Sequence, residues 1–266
     1  MGNKPLRIWL LGGFGNVLFQ ILVSKVVLKK GKDFKFVKTL TEKNIITNSI
    51  KWSIHQPLYE KIISKDQFIK TSLLSAIIIT CIGAISKILK IRFNNATFYS
   101  DKIKFTKPYS KNIFGYFQDR FFLEQNKKQL LELGQDLRIM FGSRSENIIV
   151  HYRSGDSGWA IKYNNYYSKI KELLKKESFN VIIVTDSKKE AELFFCELNN
   201  FEVISNEDAL DDFKILLSAK KLYCAPSTFS WWASHSLHKD SNVVFPSELE
   251  ETLGVYINKK RITIIN

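Results

Sequence analysis

The chain reads as an α/β protein of the doubly wound, parallel-sheet kind, and three observations carry that reading. Its second half alternates short apolar runs with amphipathic stretches, the pattern of repeated strand–helix units. Polar turns rich in glycine or hydroxyls follow three of the apolar runs, at residues 12–16, 153–156 and 226–230. Finally, 266 residues with 45% hydrophobic and 25% charged content can bury a sizeable core, and no long low-complexity segment interrupts them.

Taken in order, residues 6–11 predict a first strand. Gly12-Gly13-Phe14-Gly15-Asn16 predicts a tight turn and residues 17–28 a helix. Glycines at such a turn let the backbone approach a ligand, and the helix start offers N–H groups to an anion. The third glycine of a dinucleotide fingerprint is missing, so the segment taken alone reads as a plain β–α turn. Residues 35–71 are too mixed to assign. Residues 72–90, rich in Leu and Ile and ending in Lys87 and Lys90, predict a core or interdomain helix. The alternative is an interfacial helix whose lysines meet lipid headgroups, since the uncharged part is shorter than the ~20 residues a span requires. Gln118 lies among aromatic residues at 114–122, which read mostly as core but also suit a carbohydrate cleft. An amphipathic helix is expected over residues 125–141, with Leu130, Leu133, Leu137 and Met140 on one side.

Ile148 to Val150 predicts a short buried strand that ends in His151, Arg153 and Asp156, with Gly155 supplying the turn. Helices follow at residues 163–176, 188–198, 211–220 and 231–237, and strands at 179–184, 201–204, 222–225 and 242–245. Thr185-Asp186-Ser187 is placed to cap the helix that follows it.

The net charge of +14 favours an anionic partner. Nucleic acid ranks below a nucleotide or a membrane surface, because the lysines are spread out and no helix-turn-helix, zinc-finger or RNA-recognition signature occurs. Cys81, Cys196 and Cys224 are odd in number, widely spaced and without a CxxC, which predicts buried thiols in a reducing compartment. No carboxylate completes a metal pattern around His235-x-x-His238, so no metal site is expected. The glycine turn breaks the first apolar run and no small-residue cleavage site follows. Leu6 also stands where myristoylation prefers Ser or Thr. A mature, cytoplasmic N-terminus is therefore expected.

In open α/β sheets ligands lie beyond the carboxyl ends of the strands, where His151, Arg153 and Asp156 emerge. Arg153 suits bidentate phosphate binding, and the Ser227-Thr228-Phe229-Ser230 turn opening a helix suits a second phosphate contact. Asp211 or Asp212 can accept hydrogen bonds from guanine N1–H and its 2-amino group. The plainer readings are a surface Arg–Asp pair, a core His and first-turn helix charges.

Together these segments resemble a known family. Leu11-Gly12-Gly13-Phe14-Gly15-Asn16-Val17-Leu18-Phe19-Gln20 is similar to the N-terminal signature of the α-1,2-fucosyltransferases of glycosyltransferase family 11, as is Gly115-Tyr116-Phe117-Gln118. Val150-His151-Tyr152-Arg153-Ser154-Gly155-Asp156 resembles that family's His-x-Arg-x-Gly-Asp signature. Ser227-Thr228-Phe229-Ser230-Trp231-Trp232, preceded by Asp212-Phe213, resembles its C-terminal one. The resemblance implies a GT-B fold of two Rossmann-type domains facing a central cleft, here an acceptor-side domain over residues 1–145 and a GDP-sugar domain over 146–266.

It further implies metal-independent, inverting transfer of L-fucose from GDP-β-L-fucose to a galactoside hydroxyl in surface-glycan or O-antigen synthesis. The expected acceptor is a lipid-linked glycan, handled by a cytoplasmic enzyme peripheral to the inner membrane face. On this resemblance Arg153 binds the diphosphate and His151 lines the nucleotide pocket. Ser227, Thr228 and Phe229 hold phosphate oxygens, and Asp212 or Asp211 reads guanine. Gly13, Gly15 and Asn16 approach the donor, while Gln118 lies on the acceptor side. Asp156 is the candidate base, with orientation of Arg153 as its alternative role. Ser154 stands where the family carries a second Arg, and Val17 where it carries Gln. These departures keep open another GDP-deoxysugar such as GDP-colitose, and a non-catalytic nucleotide- or glycan-binding protein is the alternative of a different class.

Overall fold

The structure, a computed structural model, describes residues 5–37, 61–69, 72–90, 93, 96–99, 111–154, 162–177 and 179–266. The chain divides into two compact units, Met1–Leu130 and Leu131–Asn266.

The first unit is built on a parallel sheet of four strands: β1 (Leu6–Trp9), β2 (Phe34–Val37), β3 (Ala96–Tyr99) and β4 (Asn112–Gly115), in the order β2-β1-β4-β3. Its helices are α1 (Phe14–Lys29), α2 (Leu73–Leu89) and α3 (Arg120–Gln125). A parallel sheet must be covered on both faces, which is why α1 is apolar nearly all round and buries Val17 to Val23 without a break. Helix α1 begins at Phe14 and not after Asn16 as its sequence suggests. With no side chain to cap it, Gly13 in an extended conformation serves as N-cap, and Gly15 and Asn16 lie in the first turn.

One residue ties this unit's loops together. Gln20, the polar interruption in the apolar run of α1, is fully buried. Its Nε2 donates to Leu11 O at 3.1 Å and Gly115 O at 3.0 Å, while its Oε1 accepts from Leu11 N at 3.0 Å. The loop after β1 and the end of β4 are thereby joined. Gly12 has φ +77°, and a Cβ there would lie 2.4 Å from Asn16 Nδ2, so no other residue fits without displacement. Phe117, beyond β4, is also held at positive φ (57°).

The second unit holds six parallel strands: β5 (Ile148–Tyr152), β6 (Val181–Thr185), β7 (Phe201–Ile204), β8 (Lys221–Tyr223), β9 (Asn242–Pro246) and β10 (Ile262–Ile265), in the order β10-β9-β8-β5-β6-β7. Around them run α4 (Lys127–Phe141, which bridges the division between units), α5 (Asn164–Leu174), α6 (Lys188–Phe195), α7 (Ala209–Leu217), α8 (Thr228–Ser236) and α9 (Ser247–Leu253). Strand order starts at β5, runs outward through β6 and β7, then resumes on β5's other side with β8, β9 and β10. This is the doubly wound order, whose switch point lies between β5 and β8.

The core of this unit packs Tyr152, Tyr166, Tyr167 and Phe195 against Ile148, Val150 and Ile183. Helix α4 comes so close to α8 that a Cβ on Gly134 would lie 2.5 Å from His235 O. Helix α8 is anchored by two fully buried indoles, and Trp231 Nε1 donates to Gly254 O at 2.8 Å. His235, also buried, bonds Trp231 O through Nδ1 at 2.8 Å and accepts from Tyr256 N at Nε2, so it is a satisfied structural histidine.

Three sequence expectations need correction. Residues 72–90 do form a helix, but its core-facing stripe is narrow and most of its large apolar side chains are exposed. Cys81 and Cys196 are exposed and only Cys224 is a buried thiol. The strand ending the 148–150 run continues through Tyr152, so His151 lies inside the sheet with its ring buried.

Replacing Gln20 with Leu leaves Leu11 N–H, Leu11 C=O and Gly115 C=O without their partner in a dry site. The expected cost is about 3 kcal/mol or more in urea unfolding, against ~0.5 kcal/mol or less for an exposed substitution such as Lys29→Leu.

Candidate functional site

The carboxyl ends of β5, β6 and β8 and the amino ends of α7 and α8 bring the second unit's polar groups together. Strand pairing sets the levels. Tyr152 is in register with Thr185, so the residues that follow each of them leave the sheet side by side. The outcome is an Arg–Asp pair that neither segment shows alone. Asp186 accepts from Ser154 N at 2.9 Å, and its second oxygen lies 3.9 Å from Arg153 Nε. Arg153 N in turn donates to Tyr167 Oη at 3.1 Å. Arg153 and Ser154, just beyond β5, are thus held by a phenol from α5 and by the carboxylate that follows β6.

This corrects the capping expectation for residues 185–187. Ser187 stands at the N-cap position of α6 without a side-chain cap, Thr185 Oγ1 accepts from Ser187 N, and Asp186 turns to the β5 loop instead. Asp186 is the residue sequence reasoning missed.

His151 is 7% exposed and its ring lies 5.5 Å from that of Phe229, which in turn meets Phe213 at 5.3 Å. Among the described residues its Nδ1 has no hydrogen-bond partner, and neither does the Oγ of buried Ser154. Burial, with the Arg153 charge adding to it, lowers the His151 pKa to about 3, so the ring is neutral at physiological pH. Both atoms offer hydrogen-bonding capacity at a switch point, which suits the polar groups of a ligand.

On the β8 side, Ser227 is the N-cap of α8. Its Oγ accepts from Ser230 N at 3.4 Å and lies 3.3 Å from Ser230 Oγ, so the hydroxyl serves the helix itself. Thr228 and Phe229 occupy the first turn of that helix, where backbone N–H groups point out along the axis.

The two neighbouring aspartates on α7 separate cleanly. Asp211 is exposed and paired with Lys214 at 2.7 Å. Asp212 is half-buried, and its Oδ1 accepts from both Asn206 Nδ2 (2.8 Å) and Asn206 N (3.3 Å). Desolvation raises its pKa to about 6, with the Asn206 hydrogen bonds opposing and the Asp211 and Asp186 charges adding to the rise. Asp211 is thus an exposed ion-pair partner, and Asp212 a partly desolvated carboxylate. Asp156 and Gly155 lie outside the described residues.

In the first unit, Asn16 and Gln118 stand together. Gln118 Nε2 donates to Asn16 Oδ1 at 2.6 Å, across the switch point between β1 and β4. Gly13 caps α1 and Gly15 is buried in its first turn.

No family model matches the chain, and no curated protein does. A solved structure of Escherichia coli heptosyltransferase WaaC with ADP superposes with a TM-score of 0.53 at 11% identity, covering 98% of this chain and 92% of that one. The fold is of the GT-B type. Fucosyltransferase NodZ from Bradyrhizobium gives a TM-score of 0.45 at 12% identity, over 88% of this chain and 94% of that one. The likeness to the heptosyltransferase is one of fold, at an identity that says nothing about substrate.

The buried neutral histidine has a measurable signature. The unfolded chain takes up a proton at His151 below its ordinary pKa of 6.5, whereas the folded chain refuses it down to about 3. Stability from this residue is therefore complete above pH 6.5 and declines as the pH falls, at ~1.4 kcal/mol per pH unit. His151→Phe should flatten the pH dependence of urea unfolding by about that slope.

Proposed function

We propose that this chain is an inverting glycosyltransferase that moves L-fucose from GDP-β-L-fucose to a galactoside hydroxyl in α-1,2 linkage. The observation that carries the proposal is the group formed at the β5–β8 switch point: Arg153 held by Asp186, the first turn of α8, neutral His151 and half-buried Asp212. The GT-B fold supports glycosyl transfer from a nucleotide-linked donor. The choice of GDP-fucose rests on the four sequence signatures and on a carboxylate suited to guanine.

The chemistry follows from charge. Glycosyl transfer passes through an oxocarbenium-like state in which the sugar becomes positive and the departing diphosphate negative. A guanidinium fixed beside the diphosphate binds that state better than the ground state, and fixed helix N–H groups add to it without reorganising. The Asp186 carboxylate lies 3.9 Å from Arg153 Nε, a charge that biases the orientation of the planar fork. Asp212 Oδ2, the oxygen not taken by Asn206, accepts from guanine N1–H. Neutral adenine has no donor at that position, so ADP-linked sugars should be poor donors. Asp156, from its sequence position, is our candidate for receiving the acceptor proton. Asn16 and Gln118 are assigned to the donor and acceptor sides of the first unit.

Purified protein given GDP-fucose and a galactoside in EDTA should transfer fucose, and Arg153→Ala should lower kcat ~100-fold or more. Transfer from no GDP-sugar, GDP-colitose included, would overturn the enzyme reading, and preference for another GDP-deoxysugar would overturn the donor. Loss of transfer in EDTA would overturn metal independence.

A second outcome concerns pH. Ionised Asp212 accepts from guanine more strongly than the protonated acid, so GDP-fucose affinity should weaken below pH about 6, by at most about tenfold per pH unit, in titration calorimetry. Asp212→Asn should bind weakly with no such dependence.

A further inference from the structure

Helix α2 is built inside out. Toward the sheet it presents Ala76, Gly83 and Ser86, with Ile79 and Ile82 half-buried beside them. Gly83 is small for a reason, since a Cβ there would lie 3.0 Å from the Phe114 ring. The bulky residues point outward. Leu74, Ile78, Ile85 and Ile88 are 68%, 50%, 44% and 75% exposed, and with Ile77, Cys81 and Leu89 they follow the i, i+3, i+4, i+7 spacing of one continuous face. Scattered exposed apolar residues are ordinary, but a contiguous stripe along an entire helix marks an interaction surface.

Charge identifies what covers it. The unit that carries α2, Met1–Leu130, holds 23 Lys and Arg against 7 Asp and Glu, a surplus of 16. The other unit holds 17 against 19. The whole positive balance of the protein therefore lies in the unit that carries the apolar stripe. A second copy of this chain is the wrong partner, because pairing two stripes brings two strongly basic units together. The stripe also covers only about two heptads, short of the three or four a coiled coil needs. Nor does the helix cross a bilayer. At 17 residues it is about 25 Å long, and among the described residues no helix is long and apolar enough to span.

We propose that α2 is a membrane-docking helix that lies in the plane of an anionic lipid surface, its Leu74–Ile78–Ile85–Ile88 face among the acyl chains and the basic surface of its unit against the headgroups. Burial of the apolar face supplies affinity, and the lysines supply the preference for anionic lipid.

Flotation of the full-length protein with phosphatidylglycerol–phosphatidylcholine vesicles tests this directly. Binding to these vesicles is expected, with much weaker binding to phosphatidylcholine alone and a decline with added salt. Ile78→Glu combined with Ile85→Glu should reduce partitioning about tenfold or more, while the urea midpoint stays unchanged because both side chains are exposed. A second readout leaves the helix face intact. An environment-sensitive fluorophore on Cys81, in a Cys196→Ser background, should shift to the blue when anionic vesicles are added. The proposal is overturned by absence of vesicle binding, by equal binding to neutral vesicles, by binding that leaves the Cys81 probe unmoved, or by a lipid-free dimer that the double substitution dissociates. None of these readouts depends on sugar transfer, so they stand apart from the donor assays.

Discussion

Parallel pairing of β5 with β6 on one side and β8 on the other is the constraint on which the candidate site depends. Strands that run the same way end at the same edge, and where the winding reverses, the connections on either side diverge and leave a crevice. Everything polar in the second unit's site leaves from that edge. Arg153 and Asp186 meet because Tyr152 and Thr185 are register partners, and Phe229 reaches His151 because β8 lies beside β5. Shifting one strand by a residue would turn His151 to the opposite sheet face and separate the ion pair.

The aromatic and indole packing behind the site serves the same geometry from below. Trp231 and Trp232 fill the base of α8 and His235 ties its last turn to Tyr256. These contacts oppose rotation of the helix about its axis. A helix end so fixed contributes directed N–H groups that need no reorganisation when charge develops near them.

How much of this could be read from residues alone depended on the range of the interaction. Local patterns succeeded. The glycine turn after β1, the strand expected at 148–150 and the strand–helix alternation of the second half all stand in the structure, with ends shifted by a few residues where the strand runs on to Tyr152 and Phe14 and Thr228 already belong to helices. What failed was set by pairing across the sheet. The role of Asp186 depends on which strand neighbours β5, and a local pattern cannot carry that information. Asp211 and Asp212 are identical in sequence terms, and only their angle on α7 sends one to Lys214 and the other to Asn206. The same holds for α2, because hydrophobicity says a face prefers to be covered without saying which face finds the sheet. Strand β10 and helix α9, near the C-terminus, were absent from the sequence reading. Arg-Ile-Thr-Ile-Ile is too short to separate strand from loop until β9 is there to pair with it.

Gln20 has a consequence for how the first unit responds to ligands. One amide joins the loop after β1 to the end of β4, and the two loops meet again through Asn16 and Gln118. Neither loop can open alone without breaking bonds in a dry interior. A ligand held by either loop therefore stiffens the other loop as well, so the two act as one element and not as independent flaps.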